Sequence, residues 1–204
     1  MMSSASKPQV DTTIDSEHWL RTAQARPTGH CDCRTDPADI SLIVIHCVSL
    51  PEGQFGTGAP ERLFLGQLDC TEHESFADLS DLHVAPHLFI DRAGAVTQFV
   101  PFNQRAWHAG VSAWGRRSGC NDFSIGIELE GDVASRFTRS QYDALHTVLI
   151  NLCEHYPQLG VDRIVGHQDV APGRKFDPGP FFDWHGLLTG LNAELSQLPN
   201  PVKG

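Results

Sequence analysis

Ile40-Ser-Leu-Ile-Val-Ile-His-Cys47 is a near-continuous run of β-branched and aliphatic residues. Such a run is a strand, and its lack of regular polar alternation suits burial on both faces. His46 stands at its carboxyl end, where core strands deliver functional side chains. The stretch that follows, Ser49 to Gly58, is rich in Gly and Pro and reads as a loop placed to rim a cleft above His46.

Working outward, His83-Val-Ala-Pro-His-Leu-Phe-Ile90 and Ala95-Val-Thr-Gln-Phe-Val100 flank the turn Asp91-Arg-Ala-Gly94. They predict a hairpin in which Gly94 supplies the positive φ. Strand facing alone leaves open whether His87 points into a cleft or into the core. Phe123-Ser-Ile-Gly-Ile-Glu-Leu-Glu130 is a second strong strand. Ser124, Gly126, Glu128 and Glu130 share one of its faces, and Ile125, Ile127 and Leu129 share the other. Gly126 clears space beside Glu128, which suits a carboxylate acting as a general base. An ordinary solvated sheet face is the alternative.

Thr138-Arg-Ser-Gln141 is a capping box opening a helix. The apolar stripe of that helix runs Tyr142, Leu145, Val148, Leu149, Leu152, Cys153 and Tyr156, and Pro157 ends it. His146 and His155 fall off the stripe and are expected at the surface. Arg163 to Val165 is a short strand. Asp183 caps a last helix striped by Trp184, Leu187, Leu188, Leu191 and Leu195. Earlier, Pro60 to Leu68 is read as helical, Ser16 to Ala25 as a short helix or irregular, and Arg26 to Asp39 as a loop. Asp69 to Asp81 is read as polar loop with a short helix.

This order predicts a single α/β domain with a central mixed β-sheet flanked by helices. The chain has 204 residues, of which 40% are hydrophobic, enough for one sizeable core. Residues 16–196 are expected to form it, with flexible segments at 1–15 and 197–204. The formal net charge of −10 opposes nucleic-acid and anionic-membrane partners. The first residues lack the apolar core of a secretory signal, and no apolar run approaches the ~18 residues of a membrane span. A chain complete as written is therefore expected in the cytoplasm. The six cysteines form no Cys-x-x-Cys pair and are expected as reduced thiols. His30-Cys31-Asp-Cys33 has no second half at zinc-finger spacing and reads as a loop coincidence.

Val165-Gly-His-Gln-Asp-Val-Ala-Pro-Gly-Arg-Lys-Phe-Asp-Pro-Gly-Pro180 is too rich in Pro and Gly for a regular element. Its turn chemistry aims His167, Lys175 and Asp177. A solvated surface loop is the alternative. His46, His167 and Asp177 together make a three-ligand zinc site with a fourth position for water. Glu128 then suits proton handling, and Lys175 suits stabilisation of an oxyanion. The ligands lie far apart in the chain and no His-Glu-x-x-His helix exists, so spacing alone leaves open histidines that merely pack. Trp107 and His108 suit a sugar or peptide met by an aromatic face and a polar tip, or a packed Trp with an exposed neighbour.

Four segments carry a resemblance. They are Val44-Ile-His-Cys-Val-Ser-Leu-Pro-Glu-Gly-Gln-Phe-Gly56, Arg105-Ala-Trp-His-Ala-Gly-Val-Ser112, Cys120-Asn-Asp-Phe-Ser-Ile-Gly-Ile-Glu-Leu-Glu-Gly131 and Gly166-His-Gln-Asp-Val-Ala-Pro-Gly-Arg-Lys-Phe-Asp-Pro-Gly-Pro180. Together they resemble the zinc N-acetylmuramoyl-L-alanine amidases, relatives of peptidoglycan recognition proteins and phage amidases. The resemblance runs from about residue 16 to 195. It implies one zinc ion per chain, held by His46, His167 and Asp177, with Glu128 and Lys175 as catalytic residues. It implies that Trp107 and His108 border the substrate cleft. His87 is a further candidate substrate contact if its strand turns it toward the cleft.

The implied reaction hydrolyses the amide between 1,6-anhydro-N-acetylmuramic acid and the L-alanine of the stem peptide, as part of cytoplasmic peptidoglycan recycling. A periplasmic amidase on polymeric cell wall and a muropeptide-binding module that does not cut are the competing readings. The pattern departs from the family at Cys47, where asparagine is usual, and at His83 and Gly119, where arginine is expected. Those changes leave the metal ligands intact and bear on how the substrate's carboxylates are held.

Overall fold

The computed structural model of the chain describes residues 13–197. In chain order the elements are β1 (Gln24–Ala25), β2 (Cys31–Cys33), β3 (Leu42–Val48), α1 (Ala59–Phe64), β4 (Leu88–Ile90), β5 (Val96–Gln98) and β6 (Gln104–Ala106). There follow β7 (Ala113–Trp114), β8 (Arg117–Ser118), β9 (Ser124–Glu130), α2 (Arg139–His155), β10 (Ile164–Gly166), α3 (His167–Val170) and α4 (Trp184–Leu195). Six strands form one mixed sheet in the order β1-β5-β4-β9-β3-β10. Only the β4–β5 hairpin is antiparallel; the other neighbours run parallel. The pairs β2–β6 and β7–β8 stand apart as small antiparallel ribbons.

The two faces of the sheet are covered differently. Ile43 and Ile45 of β3, with Ile125, Ile127 and Leu129 of β9, pack on one side with Leu145, Val148, Leu149 and Leu152 of α2 and Leu187 and Leu191 of α4. Each fully buried side chain of this size contributes about 1.5–3 kcal/mol. The opposite face of β3, through Leu42 and Val44, meets Ala109, Cys120 and Phe123. That side is covered by loops and by the short helices α1 and α3, and it is the side that carries His46. Helix α2 opens with the full capping box: the Thr138 hydroxyl accepts from Gln141 N–H, and the Gln141 side chain accepts from Thr138 N–H.

Several expectations are corrected. The β9 face bearing Ser124, Gly126, Glu128 and Glu130 is not solvated: Ser124 is fully buried and Glu130 nearly so. Glu130 accepts from the backbone N–H groups of Gly56 and Arg92, which ties the loop after β3 to the hairpin turn. The strand expected over 83–90 is reduced to Leu88–Ile90, because Pro86 has no N–H to give a ladder. The helical stretch expected over 60–68 ends at Phe64, followed by Gly66 at φ +68°.

The stretch 16–25 contains no helix and ends in the edge strand β1. Cys31–Cys33, read as loop, is a strand whose Cys31 thiol faces Gln104 Oε1 at 3.2 Å. The segment 165–180 begins with the end of β10 and one helical turn rather than pure loop. Ile14, placed by sequence in the flexible lead-in, is buried, and Thr13 bonds Asn151 of α2 at 3.0 Å. Of the expected flexible ends, residues 1–12 and 198–204 lie outside the described residues.

Candidate metal centre

The parallel register pairs His46 of β3 with Glu128 of β9, so both side chains leave the same face near the carboxyl ends of adjacent strands. On the other flank of β3, β10 pairs in parallel and ends at Gly166, and His167 opens α3 immediately after. The chain then turns back. Lys175 N–H donates to Ala171 O at 3.0 Å, and Gln168 N–H donates to Asp177 O at 3.0 Å. The Pro178 ring lies over Gly166, where an added Cβ would meet Pro178 Cδ at 2.9 Å. Gly166 is therefore what lets the Asp177–Pro178 segment close down beside His167.

These turns bring together three groups distant in sequence. His46 Nδ1 and His167 Nδ1 are 2.9 Å apart, and Asp177 Oδ2 lies 3.0 Å from the latter and 3.3 Å from the former. Among the described residues this is the one group of His, Cys, Asp or Glu whose ligand atoms so converge. In a tetrahedral site with bonds of about 2.0–2.1 Å, neighbouring ligand atoms sit roughly 3.3 Å apart, close to the observed spacing. His167 Nε2–H donates to Ala109 O at 3.1 Å, which leaves its Nδ1 lone pair bare toward the cluster. Two imidazole nitrogens and a carboxylate oxygen are the donor set of a catalytic zinc site, and they fit it here.

Burial holds the His46 pKa down, to about 4, so its imidazole is neutral and able to ligate. Glu128 goes the other way. Burial, then the nearby Asp177 charge, raise its pKa well above the ordinary value, with Lys175 opposing. Its Oε2 is buried and without a hydrogen-bond partner. A carboxyl in that state sits poised to give and take a proton.

Glu128, Lys175, His167 and Asp177 all line one cleft of about 470 Å³, with Trp107 and His83 at its rim. The Trp107 ring stacks on His30 at 6.3 Å, and His30 Nε2 meets His83 Nδ1 at 3.3 Å. Cys47 lines the same cleft, its thiol pushed up by burial and then by Glu128. The loop bearing Lys175 is tied to the 109–111 loop by Arg174, whose Nη2 donates to the carbonyls of Ala109 and Val111, each at 2.7 Å.

His87 does not belong to the cleft, which corrects its expected role as a substrate contact. It is fully buried. Its Nδ1 accepts from Gly126 N–H at 3.0 Å, and its Nε2 donates to Gln104 O at 3.0 Å. Both polar atoms are used inside the protein, and Pro86 delivers the ring inward before β4 begins. His108 lines the cleft, yet its ring nitrogens also have protein partners, His46 Nε2 at 2.9 Å and Ser124 Oγ at 3.1 Å. The sequence assigns no role to Ser124, Ala109, Asn121 or Arg34.

Arg34 is buried and bonds the carbonyls of Phe102, Asn121 and Ser124, at 3.1, 3.1 and 2.7 Å. It pins the lobe that carries Trp107 and His108. The signal available for Ser124 was its place on the Glu128 face, two residues before Gly126. Nothing local marks the others, because three act through backbone or through distant carbonyls.

The family model described as N-acetylmuramoyl-L-alanine amidase matches residues 35–180. The chain is 49% identical over 162 residues to the 1,6-anhydro-N-acetylmuramyl-L-alanine amidase AmpD of Haemophilus influenzae, covering 79% of this chain and 88% of that protein. To the Escherichia coli protein of the same name it is 47% identical over 166 residues, covering 81% and 90%. A crystal structure of a selenomethionine derivative of AmpD superposes with a TM-score of 0.83 at 45% identity, covering 86% of this chain and 97% of that one. By matched length, by identity and by fold, this chain belongs to the N-acetylmuramoyl-L-alanine amidase family.

Proposed function

We propose that this chain is a zinc-dependent 1,6-anhydro-N-acetylmuramyl-L-alanine amidase of peptidoglycan recycling. It cuts the amide between the lactyl group of the anhydro-sugar and the L-alanine of the stem peptide. The observation that carries the reading is the convergence of His46, His167 and Asp177 beside a buried, unpartnered Glu128 in one cleft. Relatives bearing that activity in their names, at nearly half identity over most of both chains, support it.

His46, His167 and Asp177 would hold the zinc ion, which would supply Lewis acidity and lower the pKa of water toward about 7. Glu128 takes the proton of the attacking water and returns it to the leaving nitrogen, a task that needs a carboxyl whose pKa has been raised. Lys175 places positive charge in the cleft, where the carbonyl oxygen gains negative charge as the carbon becomes tetrahedral. Trp107 offers an aromatic face at the rim for the apolar side of a sugar or peptide.

We place the reaction in the cytoplasm, acting on small anhydro-muropeptides. The six cysteines, all described and all free, fit a reducing compartment. No helix among the described residues is long and apolar enough to cross a membrane. The test is zinc content measured alongside cleavage of anhydro-muramyl tripeptide, with Glu128→Ala as control and intact sacculi as competing substrate. About one zinc per chain, with turnover on the monomer that the variant loses, is expected. Zinc without amide cleavage overturns the reading in favour of a binding module, and preference for sacculi overturns the substrate assignment.

A further inference from the structure

We propose that His108, acting through Ser124, is a positioning residue that locks His46 with its Nδ1 lone pair turned on the ligand cluster. This rests on the zinc amidase reading above only for what the lock is used for. The lock itself follows from hydrogen-bond directions that have one solution. The Cys120 carbonyl can only accept, so the Ser124 hydroxyl donates to it, at 2.6 Å. The Ser124 oxygen then has lone pairs left for His108 Nε2, 3.1 Å away, so that nitrogen carries the proton. A neutral imidazole protonated at Nε2 has a bare Nδ1. That Nδ1 accepts, at 2.9 Å, from His46 Nε2–H. His46 is thereby left with its lone pair on Nδ1, the atom that faces His167 Nδ1 and Asp177 Oδ2.

The relay is built into the sheet. Ser124 is fully buried, so no solvent competes for its hydroxyl. A Cβ at Gly126 would lie 2.3 Å from His108 Cγ, so the imidazole rests directly on the β9 backbone, in space only glycine leaves free. The main chain of His108 is clamped as well. Asn121 Oδ1 accepts from the N–H groups of His108 and Ala109, at 3.2 and 2.8 Å. The same dipeptide orients the other histidine, because the Ala109 carbonyl accepts from His167 Nε2–H. His108-Ala109 thus directs both imidazole ligands, one with a side chain and the other with a carbonyl. Outer partners of this kind typically change metal affinity about 10–100-fold when removed.

The experiment uses the full chain and two readouts. Zinc affinity is measured by competition with a chromophoric chelator. The His46 tautomer is read from imidazole ¹⁵N shifts of the metal-free protein. His108→Phe keeps the ring's bulk and loses the acceptor, whereas His108→Asn keeps an acceptor where Nδ1 stood. We expect zinc affinity to fall about 10–100-fold in His108→Phe and about threefold or less in His108→Asn. Ser124→Ala, which leaves the His108 ring in place, is expected to fall between them and guards against a misfolded Phe variant.

Wild-type His46 is expected to carry a proton on Nε2, with a mixture in His108→Phe. Equal zinc affinities for the Phe and Asn variants, or wild-type His46 with no proton on Nε2, overturn the lock. A wild type that shows the Nε2–H tautomer yet takes up no zinc supports the lock and overturns the zinc reading instead.

Discussion

Replacing Gly126 by alanine adds one carbon and tests the interior of the site without touching a ligand. The backbone at Gly126 is not in the left-handed region, so alanine meets no conformational objection there. The new Cβ would stand 2.3 Å from His108 Cγ, 2.5 Å from Nδ1 and 2.7 Å from Cδ2, where ordinary contact begins at 3.4 Å. The ring must therefore retreat by about 1 Å, or the strand must shift by as much. A retreat of that size takes the 2.9 Å bond to His46 and the 3.1 Å bond to Ser124 past hydrogen-bond range.

Two buried hydrogen bonds at about 1 kcal/mol each, with about 1–3 kcal/mol of overpacking, give a loss of roughly 3–5 kcal/mol. Urea unfolding of metal-free wild type and variant, compared at equal m-value, measures it. Chelator competition on the same samples should show zinc affinity lowered about 10-fold or more, because His46 is no longer held. A variant within about 0.5 kcal/mol of wild type, with unchanged zinc affinity, would show that the ring does not rest on this strand, and the geometric argument would fail.

Further expectations follow from the cluster. Glu128→Gln should retain zinc while turnover falls about 10²–10⁴-fold, since it handles protons and is not a ligand; loss of zinc would contradict that role. Because the folded pKa of Glu128 lies above the unfolded one, the fold favours its neutral form. Its contribution to stability is complete below the unfolded value near ~4.3 and is lost as pH rises through the folded value. Metal-free Glu128→Gln, neutral at every pH, should therefore match wild type at acid pH and exceed it above neutrality in urea midpoint. Asp177→Ala should weaken zinc binding at least about 100-fold by chelator titration, and unchanged affinity would remove it from the ligand set. Lys175→Ala should lower kcat about 10²–10³-fold with a smaller change in KM, and the reverse split would make it a substrate anchor.

The chain's amino-acid order by itself determined the elements whose pattern is local. The aliphatic run of β3 and the polar–apolar alternation of β9 mark strands because each pattern lies within one short segment of chain. The α2 capping box and stripe are legible for the same reason, as is the fact that His46 and Glu128 stand near strand ends. Tertiary structure alone decided what depends on a partner across space. It set β3 against β9 in the register that pairs His46 with Glu128, and it folded the 171–178 turn so that Asp177 returns to His167.

It also sent His87 inward and His108 to the cluster, although both are histidines near short strands. The physical reason is that a hydrogen bond's direction is set by the group at its other end. The carbonyls of Cys120, Ala109 and Gln104, which fix the tautomers of three imidazoles, belong to every residue alike and leave no mark in the order of side chains.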